Sequence, residues 1–76
     1  MDYDTCTEIA NKICDKLISL CRTKKTQGKS LIQLCDELLD KKYAQYRMNI
    51  FPYVPDQLAH KGYEIVNAEH FEIKKY

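Results

Sequence analysis

The 76-residue sequence lacks a surplus of charge of either sign. Twelve Lys and Arg stand against eleven Asp and Glu, which leaves a formal net charge of +1. Non-specific attachment to phosphate needs a positive surplus or a segregated basic patch. Some segregation remains at residues 22–30, which carry Arg22, Lys24, Lys25 and Lys29 and no acid. The charge balance therefore disfavours a polyanionic partner.

The sequence also lacks the run of about 18–20 apolar residues that a membrane span requires. It opens with the acidic segment MDYD, whereas an export signal opens with positive charge followed by an apolar stretch. We therefore expect a cytoplasmic protein without membrane contact. In a reducing compartment, the four Cys residues are expected to remain thiols.

Closely spaced cysteine pairs, which mark structural zinc sites, are missing. Cys6, Cys14, Cys21 and Cys35 are separated by eight, seven and fourteen positions, whereas zinc sites usually contain pairs such as C-x2-C. The cysteines lie among Leu and Ile, which predicts buried thiols and no metal or other cofactor. Only Cys21 has an adjacent positive charge, from Arg22, of the kind that stabilises a reactive thiolate.

A complete phosphate-binding loop is missing as well. Gly28-Lys29-Ser30 matches the end of the P-loop pattern, but the Gly required five positions earlier is Thr23, and a helix rather than a strand is predicted before it. A weaker hypothesis remains, in which helix amides and nearby side chains bind a phosphate or an acidic group. Its candidates are Lys24, Lys25, Lys29 and Ser30, and a helix cap surrounded by solvated lysines is the simpler interpretation.

An enzyme is not expected. A Cys–His pair could form in space through His60 or His70, but no residue is singled out as a nucleophile and no Gly-rich oxyanion turn is present. A chain of this size also has little room for a walled pocket.

The first half of the chain has two segments with helical periodicity. Over residues 5–25, the apolar side chains fall within about half of a helical wheel. Thr5-x-x-Glu8 fits a capping box that opens this helix, and Gly28 is expected to end it in a left-handed conformation. Ser30-x-x-Gln33 fits a second capping box, which opens a helix predicted over residues 30–46. These segments predict an antiparallel helical hairpin.

In the second half of the chain, the apolar residues no longer follow one continuous helical period. Residues 47–55 contain Pro52 and Pro55, which push the preceding residues toward extended geometry, so an apolar connector is predicted. A short helix follows over 55–61 and ends at Gly62. Residues 63–75 alternate as a two-stranded β-hairpin packed on the helices. The residues expected to face the helices are Tyr63, Ile65, Phe71 and Ile73.

Residues 1–76 are therefore predicted to form one small α+β domain with a protein-interaction function. The helical apolar faces are wider than one contact seam, and a chain of this length builds only a small core. We expect an accessory, regulatory or inhibitor protein that binds another protein or forms a homo-oligomer; phages and other mobile elements encode proteins of this size. The candidate interface residues are Leu31, Leu34, Leu38, Tyr43, Tyr46, Phe51 and Tyr53.

The alternative is a nucleic-acid-binding regulator. Three helices followed by a β-hairpin is the element order of a winged-helix domain, an analogy at the level of fold only. The segment 55–61 would be the recognition helix, yet it holds one acid and one Lys, which suits base readout poorly. Phosphate contacts would then come from the lysines at 24, 25, 29, 74 and 75.

Overall fold

Helix α1 (Tyr3–Arg22) is the longest element of the computed structural model, which describes all 76 residues. Asp2 caps it, because the Asp2 carboxylate accepts a hydrogen bond from the Thr5 amide at 3.0 Å. Hydrogen bonding from Thr5 also lowers the pKa of the Asp2 carboxyl. The prediction of a capping box at Thr5 is therefore wrong: Thr5 lies inside the helix and its amide is the donor.

The end of α1 also differs from the prediction. The helix stops at Arg22, and Lys24 adopts a left-handed conformation with φ of 57°. The Lys24 amide donates to the Cys21 carbonyl at 3.2 Å and the Lys25 amide to the Leu20 carbonyl at 2.8 Å, which is the Schellman arrangement. Gly28, with φ of 71°, shapes the following turn and does not end the helix.

Helix α2 (Leu31–Leu38) begins as predicted and ends early. Its capping box is confirmed, with Gln33 N donating to Ser30 Oγ at 3.1 Å and Ser30 N donating to Gln33 Oε1 at 2.9 Å. After Leu38 the backbone is extended at Leu39, and Asp40 accepts from the Lys42 amide at 3.1 Å. The prediction of one helix over 30–46 is therefore wrong beyond Leu38, because Asp40 caps a new 3₁₀ turn.

The segment predicted as an extended connector is helical. A 3₁₀ turn (Lys41–Tyr46), helix α3 (Arg47–Ile50) and a second 3₁₀ turn (Phe51–Tyr53) follow one another. Pro52 and Pro55 lie in the first turn of the elements that contain them, where a missing amide hydrogen costs nothing. The prediction for 47–55 is therefore wrong.

Helix α4 (Val54–His60) confirms the predicted short helix. It is followed by Gly62, whose φ of 91° suits a left-handed residue. Strands β1 (Tyr63–Asn67) and β2 (Glu72–Lys75) then form the predicted antiparallel hairpin, with Ile65 opposite Ile73 and an irregularity between Ile65 and Asn67. Helices with a two-stranded sheet packed on them confirm the α+β class.

The core lies between α1 and the elements that follow it. Thirteen side chains are buried and all are apolar. Helix α1 packs mainly on α4, and β1 also packs on α4. Leu17 and Leu58 are both part of the buried core. Phe71 is buried, while Ile65 and Ile73 pack half-buried against the core, as predicted.

Polar contacts fix α4 on α1. Asn11 Nδ2 donates to Gln57 Oε1 at 2.9 Å, and Lys61 Nζ lies 2.8 Å from Asp15 Oδ1. The Cys14 thiol donates to the Val54 carbonyl at 3.3 Å. These contacts join residues forty or more positions apart, so they hold α1 and α4 together.

The hairpin turn is attached to the α1–α2 connection. The Leu31 amide donates to the Ala68 carbonyl at 2.8 Å, and the Phe71 amide donates to the Lys29 carbonyl at 3.0 Å. His70 Nδ1 lies 3.1 Å from the Gly28 carbonyl oxygen. The hairpin is therefore held at its turn as well as at its apolar face.

None of the helices combines the length and the apolar character needed to cross a bilayer.

Candidate protein-binding groove

A groove of about 580 Å³ runs between α1 and the segment that joins α2 to the first 3₁₀ turn. Residues between Thr5 and Lys16 form one wall, and residues 37–43 form the other. We call this space the α1–α2 groove. Its apolar lining consists of Ile9, Ile13, Leu38, Leu39 and Tyr43.

The end of α2 shapes this groove. Leu38 is the last residue of the helix, and the extended backbone at Leu39 and Asp40 turns the chain before the 3₁₀ segment begins. Leu39 is directed into the core and is 8% exposed, while Leu38 and Tyr43 remain half-buried. Tyr43 therefore reaches the groove from the 3₁₀ segment and not from a continued α2.

Three of the four lysines on the walls have no carboxylate partner. Lys12 lies 3.9 Å from Glu8, which forms an exposed pair one helical turn apart. In contrast, no carboxylate lies within 4.0 Å of Lys16, Lys41 or Lys42. The Lys42 ammonium lies 5.1 Å from the centre of the Tyr43 ring, so one lysine covers part of the apolar lining.

The remaining carboxylates of the groove have contacts within the chain. Glu37 Oε1 lies 2.7 Å from Lys29 Nζ. Asp40 accepts from the Lys42 amide, as described above. The groove thus combines an apolar floor with a rim on which the uncompensated charge is positive.

Two of the seven candidate interface residues line this groove, Leu38 and Tyr43. Leu31 and Leu34 are core residues that are only 9% and 4% exposed. Placing these two on an interaction surface is therefore wrong, because α2 turns them toward the core.

The other three candidates, Tyr46, Phe51 and Tyr53, pack half-buried against the core outside the groove. The Tyr53 ring also meets the Tyr3 ring edge-to-face, with 5.4 Å between ring centres. These aromatic side chains therefore finish the core on the side of the second 3₁₀ turn.

Three of the amides at the start of α2 already have acceptors within the chain. The amides of Ser30 and Gln33 serve the capping box, and the Leu31 amide donates to Ala68. Lys29 is paired with Glu37, so Lys24 and Lys25 are the candidates left without a carboxylate within 4.0 Å. The structure therefore does not assemble these four residues into one binding site.

Burial disfavours the reactive thiolate form of three of the four cysteines. Burial raises the pKa values of Cys14 and Cys35 to about 12. Burial, and then the nearby Glu72 carboxylate, also raises the pKa of the half-buried Cys21. The suggestion that Arg22 stabilises a Cys21 thiolate is therefore wrong. All four cysteines are free thiols, and no group of three or more His, Cys, Asp and Glu side chains is placed to bind a metal ion.

Sequence reasoning missed the α1 side of the groove. Helical periodicity places Ile9 on the apolar face of the first helix and Lys16 on the opposite face, and it gives Lys41 and Lys42 no role in a site. One feature of the sequence, Asp40, could have indicated that α2 ends early, because Asp is a preferred N-cap of a new helical segment. In the structure, the Asp40 carboxylate accepts a hydrogen bond from the Lys42 amide. A break there brings residues 41–43 toward α1.

Comparison of the chain with family models, with curated proteins and with solved structures finds no match.

Proposed function

We propose that this protein is a non-enzymatic protein-interaction module that binds another protein through the α1–α2 groove, in an accessory, regulatory or inhibitory role. The observation that carries the proposal is the half-buried apolar lining, formed by Ile9, Leu38 and Tyr43, in a groove with charged walls. Apolar surface inside a polar rim is the usual composition of a protein-binding site.

The length of the groove suits a helical segment of a partner. The wall from Thr5 to Lys16 spans about 16 Å at ~1.5 Å per residue, which is about three helical turns. A partner helix of that length presents apolar anchors three, four and seven residues apart on one face. Those anchors would contact the lining between α1 and residues 37–43.

The thiol chemistry supports a binding role over a catalytic one. A thiolate is the reactive form of cysteine, and the raised pKa values of Cys14, Cys21 and Cys35 disfavour it. Four free thiols in one short chain also support a reducing, intracellular location, since disulfides form in oxidising compartments.

The test is selection of binding peptides from a random library displayed on phage, with purified protein as the bait. We expect enriched peptides to bind wild type and to lose at least about tenfold in affinity toward Leu38→Gln, which removes an apolar contact of the groove. Tyr43→Ala is a second groove variant, and circular dichroism verifies that each variant is folded.

Ile32→Gln is the matched control, because Ile32 lies on the same helix, is 59% exposed and does not line the groove. The proposal is contradicted if Ile32→Gln loses as much peptide affinity as the groove variants do, or if the library yields no enriched peptides. Labelled single- and double-stranded DNA and RNA are titrated in parallel. Tight binding that weakens steeply with salt would replace this proposal with the nucleic-acid alternative.

A further inference from the structure

We infer that the segment that binds the α1–α2 groove is an acidic amphipathic helix of another protein, with apolar anchors flanked by Asp or Glu. This inference rests on the proposed function and adds the chemical class of the partner. The observations behind it are the distribution of paired and unpaired charges around the groove and the half-buried apolar lining.

Positive charge exceeds negative charge by one among the residues that line this groove. Four lysines and three carboxylates line it. One of these carboxylates, Glu37, is paired with Lys29, which lies outside the lining, and three of the four lining lysines have no carboxylate within 4.0 Å. Outside the groove, Lys61 is paired with Asp15 and Lys74 with Glu64, whereas Lys24 and Lys25 have no carboxylate within 4.0 Å.

The unpaired lysines lie on both walls. Lys16 is on α1, and Lys41 and Lys42 are at the start of the 3₁₀ segment. All three are exposed, so their ammonium groups can reach a bound segment without rearrangement of the core. A helix lying between the walls would meet positive charge on either side of its apolar face. Carboxylates beside the apolar anchors of the partner helix would attract these lysines, whereas lysines at the same positions of the partner helix would be repelled by them.

The apolar lining sets the second requirement. A purely acidic peptide would leave Ile9, Leu38 and Tyr43 without apolar contacts. Leu, Ile or Phe anchors on one face of the partner would remove this surface from water. The complementary segment must therefore be amphipathic as well as acidic.

The test uses a labelled helical peptide of about 14 residues, long enough to span the groove. It carries Leu at three positions on one face and Glu at the flanking positions, and binding is followed by fluorescence anisotropy. The two comparison peptides replace every Glu by Gln or by Lys. We expect the Glu peptide to bind about tenfold more tightly than the Gln peptide, to bind more weakly as salt is raised, and the Lys peptide not to bind.

Charge-removing variants locate the effect on the protein. Lys16→Gln, Lys41→Gln and Lys42→Gln are each expected to weaken the Glu peptide about two- to fivefold and to leave the Gln peptide unchanged. The matched control is Lys24→Gln with Lys25→Gln, which removes two unpaired lysines outside the groove. That control is expected to retain wild-type affinity for both peptides.

The outcomes separate this inference from the proposed function. Equal binding of the Glu and Gln peptides, lost in Leu38→Gln, overturns the acidic class and retains the groove as a protein-binding site. If the Glu peptide does not bind while library peptides bind the groove, the inference that the partner is acidic is overturned and the proposed function is retained. Failure of both experiments overturns the groove itself. Concentration-dependent dimerisation that Lys41→Gln abolishes in sedimentation would assign the groove to a second copy and overturn the inference.

Discussion

Replacing Lys24 by Gly is expected to stabilise the protein. Lys24 ends α1 with φ of 57°, and the left-handed region costs a residue with a Cβ about 1–2 kcal/mol. Glycine avoids this cost but loses about 0.5–1 kcal/mol through the greater freedom of the unfolded chain. The net gain in the free energy of unfolding is therefore about 0–1.5 kcal/mol, and its midpoint of ~0.75 kcal/mol raises Tm by ~3–6 °C in a domain of this size.

The substitution leaves the rest of the helix end unchanged. Both hydrogen bonds of the Schellman arrangement are made by backbone groups, so they persist with glycine at position 24. Lys24 is exposed and has no carboxylate within 4.0 Å, so loss of its charge removes no ion pair. The gain is therefore assigned to the backbone conformation alone.

Urea unfolding followed by far-ultraviolet circular dichroism measures this gain, and Lys25→Gly is its control. Lys25 is also exposed, loses the same charge and has no positive φ, so glycine there is expected to destabilise by about 0.5–1 kcal/mol. If both variants are destabilised alike, Lys24 is not left-handed and α1 continues to residue 25, as the apolar pattern alone indicates. Opposite signs would establish the end of the helix at Arg22.

Two further predictions concern the core. Leu58→Ala, at a fully buried side chain, is expected to lower the free energy of unfolding by about 2–5 kcal/mol in urea titrations, whereas Met48→Ala, at a residue 79% exposed, changes it by no more than about 0.5 kcal/mol. Because the pKa values of Cys14 and Cys35 rise from 9.0 to about 12 on folding, the unfolded chain loses these protons first, so this contribution to stability is complete below pH 9 and falls as pH rises toward 12. Stability measured across that window should fall less steeply in Cys35→Ala, and an unchanged slope would contradict the burial of that thiol.

The two capping patterns in the sequence had different outcomes for a local physical reason. At Ser30, the hydroxyl is free to accept from the Gln33 amide, and the box forms. At Thr5, a stronger acceptor lies three residues earlier, and the Asp2 carboxylate takes the Thr5 amide as its donor. Asp2 and Asp40 both determine where a helical segment begins. The capping-box pattern does not identify Asp2 or Asp40, because neither is followed three residues later by a Glu or Gln.

The segment around the prolines shows tertiary packing overriding local preference. Phe51 and Val54 precede Pro52 and Pro55 and were expected to be extended, yet both are right-handed helical. Ile50, Val54 and Leu58 follow each other at intervals of four and are at most 1% exposed. Helical backbone puts all three on one face against α1. That spacing was readable in the sequence, and it outweighed the preference of the residues before proline.

The candidate site was only half predictable for a related reason. Leu38 and Tyr43 could be identified as surplus apolar residues because periodicity alone placed them on a helix face. The α1 wall could not be assigned to the same site, because that requires knowing that the chain turns at Leu39 and Asp40. The distribution of paired and unpaired surface charges could not be predicted either. The sequence does not show that Lys29 forms an ion pair with Glu37 while Lys16 forms none.

Only part of the groove lining is separate from the core that keeps the protein folded. Its lining includes Ile13 and Leu39, which belong to the buried core, and also Leu38 and Tyr43, which pack only partly against it. No buried polar side-chain atom lacks a hydrogen-bond partner, so the fold does not need a partner to satisfy its interior. Substitutions at Leu38, Tyr43 and the exposed lysines therefore examine binding, whereas substitutions at Ile13 or Leu39 would mix binding with stability. A loss of peptide binding in the first group, at unchanged thermal stability, can be assigned to the groove.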